Sequence, residues 1–363
     1  MKKAIAACSA LVFLFVCGAS SCKSGNAGTG NASVYVMTNS AFTNSVLVFN
    51  RGDTGLLTQE SSVSTGGNGS GSSRNPLNSQ GALALSGDKK WVLAVNAGSN
   101  EISVLKVTGA GLDFASKTSS LGQFPVSLAM SGNLVFVLNA KSSPPNVTPF
   151  ILDKNGILKS IAGTVRLLPP GNYSQVGFSP NGKSLVVAGD SNNLILVYTM
   201  KGNNPSSDPA FVESKGNGPC AFSFDKNGNL LVVESGGNSI SSYSFSSNGL
   251  KPITSSLSTG QKTPRWVVST GNFAFTSNLG SATISSFSIS PTVSGQLTLS
   301  NAVAATATGN TDIAVSSDGK YLYALDPGSK TVDVFAIAAG GTLTHSGDVP
   351  GLFEISAQGI VAG

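Results

Sequence analysis

Few residues in this chain have side chains suited to chemistry, and most of those are carboxylates. Asp190, Asp312 and Asp326 recur at similar places in an otherwise Ser-, Asn- and Gly-rich sequence, and Glu234 stands where a neighbouring segment carries Asn. An oxygen-rich set of this kind suits Ca²⁺. Arg265 and Trp266 are adjacent, and such a pair can hold an anion or stack on a sugar ring. Gln175 adds an amide at a related position. Asn and Asp also cap turns, which gives the same residues a purely structural use. The single histidine, His345, and the lack of paired cysteines in the mature chain exclude a His/Cys transition-metal site. Cys220 reads as a small buried hydrophobe.

The elements that must position these groups are short strands. Of the 363 residues, 11 % are charged, 40 % are hydrophobic and 43 are Gly, a composition for strands and tight turns. From Val34 onward a unit repeats about every 45 residues, a period typical of propellers. One copy runs Ile313–Ser316, turn, Tyr321–Asp326, turn, Thr331–Phe335, then Gly340–Thr344. Asn-Gly or Asp-Gly between the first and second strands predicts two-residue hairpins. Each unit is a four-stranded antiparallel blade that cannot bury both faces alone, so copies must stack in a ring. The first unit lacks a first strand, and Gln358–Ala362 is a first strand with nothing after it. The chain is therefore all-β, a seven-bladed β-propeller closed by a C-terminal strand that joins the N-terminal blade. In this frame Ala82, Ser127, Gln175, Ala221, Trp266, Asp312 and Gly359 precede the first strands. Asn39, Asn96, Asn139, Asp190, Glu234, Asn278 and Asp326 end the second strands. Both sets open on one face, where ligand sites gather.

The N-terminal residues have three zones: Lys2 and Lys3, an apolar run Ala4–Val16, and the small residues Gly18–Ser21 before Cys22. This is the pattern of a secretory signal peptide over 1–21. Its apolar run is shorter than the ~20 residues that a spanning helix needs. Cys22 then becomes a lipidated first residue, although Ala19-Ser20-Ser21 also fits an ordinary signal-peptidase cut. Residues 22–33 form a flexible tether, and 34–363 the propeller. The expected location is the outer membrane or the periplasmic face of the cell envelope, with the lipid as the membrane contact. Losing Lys2 and Lys3 lowers the formal charge from +5 to +3. No basic cluster interleaves with aromatics, which argues against nucleic acid.

The segments GKYLYALDPGSKTVDVF and KKWVLAVNAGSNEISVL resemble YVTN-type repeats, and the mature chain resembles the lactonase family of seven-bladed propellers. That family includes bacterial 6-phosphogluconolactonase and fungal muconate cycloisomerase. The resemblance implies histidines before the first strand of blade four, where this chain has Asn172-Tyr173-Ser174-Gln175. It implies an Arg-His pair after Gly-Pro in blade five, where Cys220-Ala221 follows Gly218-Pro219. It implies a Glu after the second strand of that blade, from which Glu234 is displaced by one, and an Arg after the Asn of blade six, where Leu279 stands. The reading that follows is a monomeric envelope lipoprotein, a binding or interaction module with a degenerate lactonase site and no cofactor. Its partner is a small sugar-like or lactone ligand, or an envelope protein. A lactonase is the alternative, with Glu234 or Asp312 as base and Arg265 steadying the oxyanion. A further alternative is a Ca²⁺-dependent hydrolase using the acidic rim.

Overall fold

A computed structural model describes residues 32–352 and 354–363. The expected leader, 1–21, and Cys22 lie outside the described residues. Among the described residues all regular structure is strand, in seven sheets. Blade 1 comprises, from axis to rim, Ile360–Ala362, Ser33–Met37, Ser45–Arg51 and Leu57–Ser64. Blade 2 comprises Leu83–Leu85, Trp91–Asn96, Glu101–Thr108 and Gly111–Ser119. Blades 3 and 4 begin at Pro125–Ser131 and Tyr173–Phe178, and each ends in two short outer strands. Blade 5 comprises Pro219–Phe224, Leu230–Glu234, Ser239–Ser246 and Gly249–Ser258. Blade 6 comprises Pro264–Thr270, Phe273–Asn278, Thr283–Ile289 and Leu297–Thr306. Blade 7 comprises Asp312–Val315, Tyr321–Asp326, Thr331–Ile337 and Leu343–Pro350. Each innermost strand packs against the next around the whole circle.

Burial follows the position of each strand. The second strands, such as Leu134–Asn139 and Tyr321–Asp326, are buried almost throughout because neighbouring blades cover both faces. The outermost strands alternate, as in Leu57–Ser64, because one face meets water.

Ring closure takes the expected form. The last strand pairs antiparallel with the first, Val36 opposite Ile360 and Val34 opposite Ala362. Blades 1 and 7 are also joined on the far face, where Arg51 Nη1 lies 3.0 Å from Asp318 Oδ1 and the Tyr321 hydroxyl donates to the Asp53 carbonyl. Partial burial opposes ionisation of Asp318, but hydrogen bonds from Arg51 and Ser316 outweigh it and hold the carboxyl at about 2.

The hairpins between first and second strands differ from expectation in four blades. Only blades 3 and 6 close with two residues, opening on Gly132 and Gly271. In blades 2, 4, 5 and 7 the loop is longer and has one positive-φ residue: Lys89, Gly182, Gly228 or Gly319. An Asp or Asn side chain organises it, as where the Lys320 N–H donates to Asp318 Oδ1. Asx-turn bonding thus does the work expected of the two-residue turn.

Candidate functional site

The connections from each outermost strand to the next innermost strand share a face with the second-to-third hairpins. This face is the channel mouth. Five of these connections hold five residues each: 120–124, 168–172, 214–218, 259–263 and 307–311. The connection 65–82 holds eighteen and crosses the axis. The Ser79 hydroxyl donates to the Val126 carbonyl in blade 3 (2.8 Å), and the Ser79 carbonyl accepts from Trp266 Nε1 in blade 6 (3.0 Å). Gln80 pairs with Val267 as a strand would, donating to its carbonyl and accepting from its N–H. Gln358 of blade 1 accepts from the Leu77 N–H and donates to the Ser79 carbonyl. Asn78 donates to Asp190 of blade 4 at 3.5 Å. At Gly81 φ is +85°, and a Cβ would lie 2.9 Å from the Ser127 hydroxyl, so only glycine fits where the connection 65–82, a plug over the axis, turns down into blade 2. The clue in the sequence is the long interval between Ser64 and Leu83, which its Gly/Ser/Asn content disguises as a slack loop.

Four innermost strands begin with a β-bulge. The register slips between Pro125 and Ser127, Tyr173 and Gln175, Pro219 and Ala221, and Pro264 and Trp266. The extra residues are Val126, Ser174, Cys220 and Arg265. A bulge leaves its extra residue unpaired and re-aims it. Arg265 is thereby turned to the mouth, where its Nη1 lies 3.8 Å from Asp190 Oδ2. Asp190 does not end its second strand. Gly189 does, opposite Leu194, and Asp190 comes one residue later. The one-residue offset sends its carboxylate to the opposite side from the buried strand-end side chains. Arg265 and Asp190 thus reach over blade 5 from blades 6 and 4. Below them Cys220 is buried, with its thiol against the Pro264 and Arg265 carbonyls. Burial pushes that thiol up, opposed by the Arg265 charge. Arg265 Nε and Nη1 and Asp190 Oδ1 are shielded from solvent and have no hydrogen-bond partner among the described residues.

The other sequence-selected residues are committed elsewhere. Glu234 is fully buried; its Oε1 accepts from the Ser214 and Ser241 hydroxyls and the Gly216 N–H, and its Oε2 accepts from Ser239, each at 2.7 Å. It ties the blade 5 corner together, as Asn96 does in blade 2 with Thr65 and Ser103. Asp312 is buried between blades 7 and 1 and accepts backbone N–H bonds from Ile313, Ile360 and Gly359. Desolvation prevails over those bonds and pushes its carboxyl up to about 8. Gln175 staples blade 4 to blade 5 by two bonds to Phe222. Trp266 is 1 % exposed. Its indole anchors the plug, and this replaces the expected ligand-stacking surface. Asp326 is turned into its own hairpin, accepting from the Ser329 N–H and hydroxyl. Asp190, Asp312 and Asp326 do not converge, and no group of three His, Cys, Asp or Glu among the described residues could hold a metal ion. His345 lies exposed on the outer strand, 2.6 Å from Asp348. Only Arg265 and Asp190, of the predicted set, meet at the mouth.

The family model described as lactonase, seven-bladed beta-propeller, matches residues 30–172 and 230–352. The chain belongs to the lactonase family of seven-bladed β-propellers. The unmatched stretch, 173–229, contains Tyr173–Gln175 and Cys220-Ala221. No curated protein matches by sequence. Among solved structures, a 6-phosphogluconolactonase candidate from Bacteroides uniformis is 18 % identical, with a TM-score of 0.70 over 91 % of this chain and 99 % of that one. One from Bacteroides fragilis is 16 % identical, with a TM-score of 0.71 over 92 % and 99 %. The periplasmic gluconolactonase of Pseudomonas aeruginosa is 18 % identical, with a TM-score of 0.70 over 92 % and 99 %. At these identities the likeness to other propellers, lactonases included, is one of fold.

Proposed function

We propose that this lactonase-family propeller is an envelope lipoprotein that binds a small sugar-derived anion at its mouth without hydrolysing lactones. The observation that carries the reading is Arg265. Its guanidinium is held at the mouth by a bulge, faces Asp190 only at 3.8 Å, and its buried Nε and Nη1 have no acceptor among the described residues. A buried donor left unpaired costs about 1–3 kcal/mol, and a planar carboxylate fits a guanidinium fork. General-base chemistry has less support. Glu234 is sealed by four donors, and the proton on Asp312 is held to about pH 8. Anchoring through Cys22 places the propeller at the outer membrane or periplasmic face. Binding of such an anion calls for neither Ca²⁺ nor another cofactor, and a monomer suffices.

Calorimetric titration with gluconate tests this reading. The wild type should bind, and Arg265→Ala should weaken binding about tenfold or more, the scale of a lost charge-assisted pair. Equal binding by Arg265→Ala would remove the site from the mouth. The family and the names of its structural relatives favour the second reading, a lactonase. Lactone turnover lost in Arg265→Ala or Glu234→Gln would establish it. Labelled fatty acid incorporated into the wild type but not into Cys22→Ala would support the anchor, and an unlipidated mature chain would refute it.

A further inference from the structure

A cavity of about 470 Å³ lies between blades 6 and 7, away from the bulges and the plug. The repeat explains why it exists. In blades 2, 3, 5 and 6 the first residue after the preceding outermost strand is a hydroxyl, Thr65, Ser120, Ser214 or Thr259, and in blade 4 it is the larger Leu168. Thr65 and Ser214 bond the residue that ends the second strand, and the Thr259 carbonyl accepts from Ser285 on the third strand. At blade 7 this residue is Ala307, and Asp326 turns away to Ser329. The corner is left open. Where the third strand of other blades carries Ser103, Ser241 or Ser285, blade 7 carries Asp333.

Asp333 is 6 % exposed and lines the cavity. Thr331 donates to its Oδ1, and its Oδ2 takes no hydrogen bond from the described residues. Asp348 stands directly opposite on the next strand and Asp326 is nearby. His345, bonded to Asp348, is at the rim, and blade 6 contributes only Ala and Thr. No Lys or Arg among the described residues lines the space. Burial, with Asp326 and Asp348 facing it, pushes the Asp333 carboxyl up to about 6. His345 opposes that rise, but less than burial, Asp326 and Asp348 favour it, and a buried carboxylate so poorly compensated is costly. The side chains cannot gather round a metal ion, whereas the volume is that of a small-molecule pocket. Phe335, Leu343 and Ala304 supply an apolar wall.

We propose that this inter-blade cavity binds a small aliphatic ammonium, its nitrogen against Asp333 and its chain along Phe335 and Leu343. Calorimetric titration of the whole mature protein with n-pentylammonium tests the site, with 1-pentanol as neutral isostere and CaCl₂ as metal control. Pentylammonium should bind and pentanol should not. Asp333→Asn should weaken binding about tenfold or more. Ala307→Thr, which supplies the hydroxyl found in other blades, should abolish binding while the protein stays folded, and Arg265→Ala should leave it unchanged. No heat with pentylammonium, equal binding of pentanol, or affinity indifferent to both Asp333→Asn and Ala307→Thr would overturn the proposal. So would Ca²⁺ binding that Asp333→Asn removes.

Discussion

The corner that ends the second strand is built twice with an acid, in blade 5 and in blade 7, and the two outcomes are opposite. In blade 5, Ser214 enters from the preceding connection and Ser239 and Ser241 from the third strand, and Glu234 is saturated and sealed. In blade 7, Ala307 brings no hydroxyl, Asp326 folds back on its hairpin, and a cavity opens beside Asp333. The lesson is that an acid's identity does not decide whether it is structural or free to meet a ligand. The hydroxyls delivered by the neighbouring connection and by the third strand decide it.

The largest test of that contrast is truncation of the two acids. Glu234→Ala strands three hydroxyls and an N–H in a dry corner, and should cost about 3–5 kcal/mol by urea unfolding. Asp326→Ala removes only bonds to Ser329 and should cost about 1 kcal/mol. Equal costs would erase the distinction between the corners.

A pH series sharpens the contrast. Asp333 is raised from 3.8 to about 6, and Asp312 from 3.8 to about 8. The unfolded chain loses these protons first, so stability should fall as pH climbs from 3.8 toward 8. Asp333→Asn should make the fall shallower below about 6, leaving the contribution of Asp312 that runs from 3.8 to about 8. Urea midpoints at pH 4, 6 and 8 check this. A wild-type midpoint that rises over this range would contradict it. The smallest effect is expected from Ala307→Thr, which fills the blade 7 corner as other blades are filled. It should change stability by no more than about 1 kcal/mol, and a loss of several kcal/mol would show that the cavity cannot accept the missing hydroxyl.

The ring was legible because repetition multiplies weak signals. Strand runs, turn residues and the orphan strand at Ile360 recur in phase, and the count of seven depends on no single residue. The mouth was legible only in part. Arg265 stood out because it breaks the repeat, but the bulge that re-aims it depends on pairing between strands. The repeat frame puts Asp190 at the strand end, whereas Gly189 ends the strand, and this offset takes Asp190 to Arg265. Trp266 looked available to a ligand because nothing local reveals that Ser79, far away in sequence, covers it. Glu234 looked reactive because the hydroxyls that seal it come from other strands.

The central claim is that the mouth binds an anion through Arg265 without turning over lactones. The most direct measurement is the initial rate of hydrolysis of D-glucono-δ-lactone and its phosphorylated form by the mature protein, with and without Ca²⁺. The predicted rate is that of buffer alone in every condition. Saturable hydrolysis that disappears in Arg265→Ala would contradict the account.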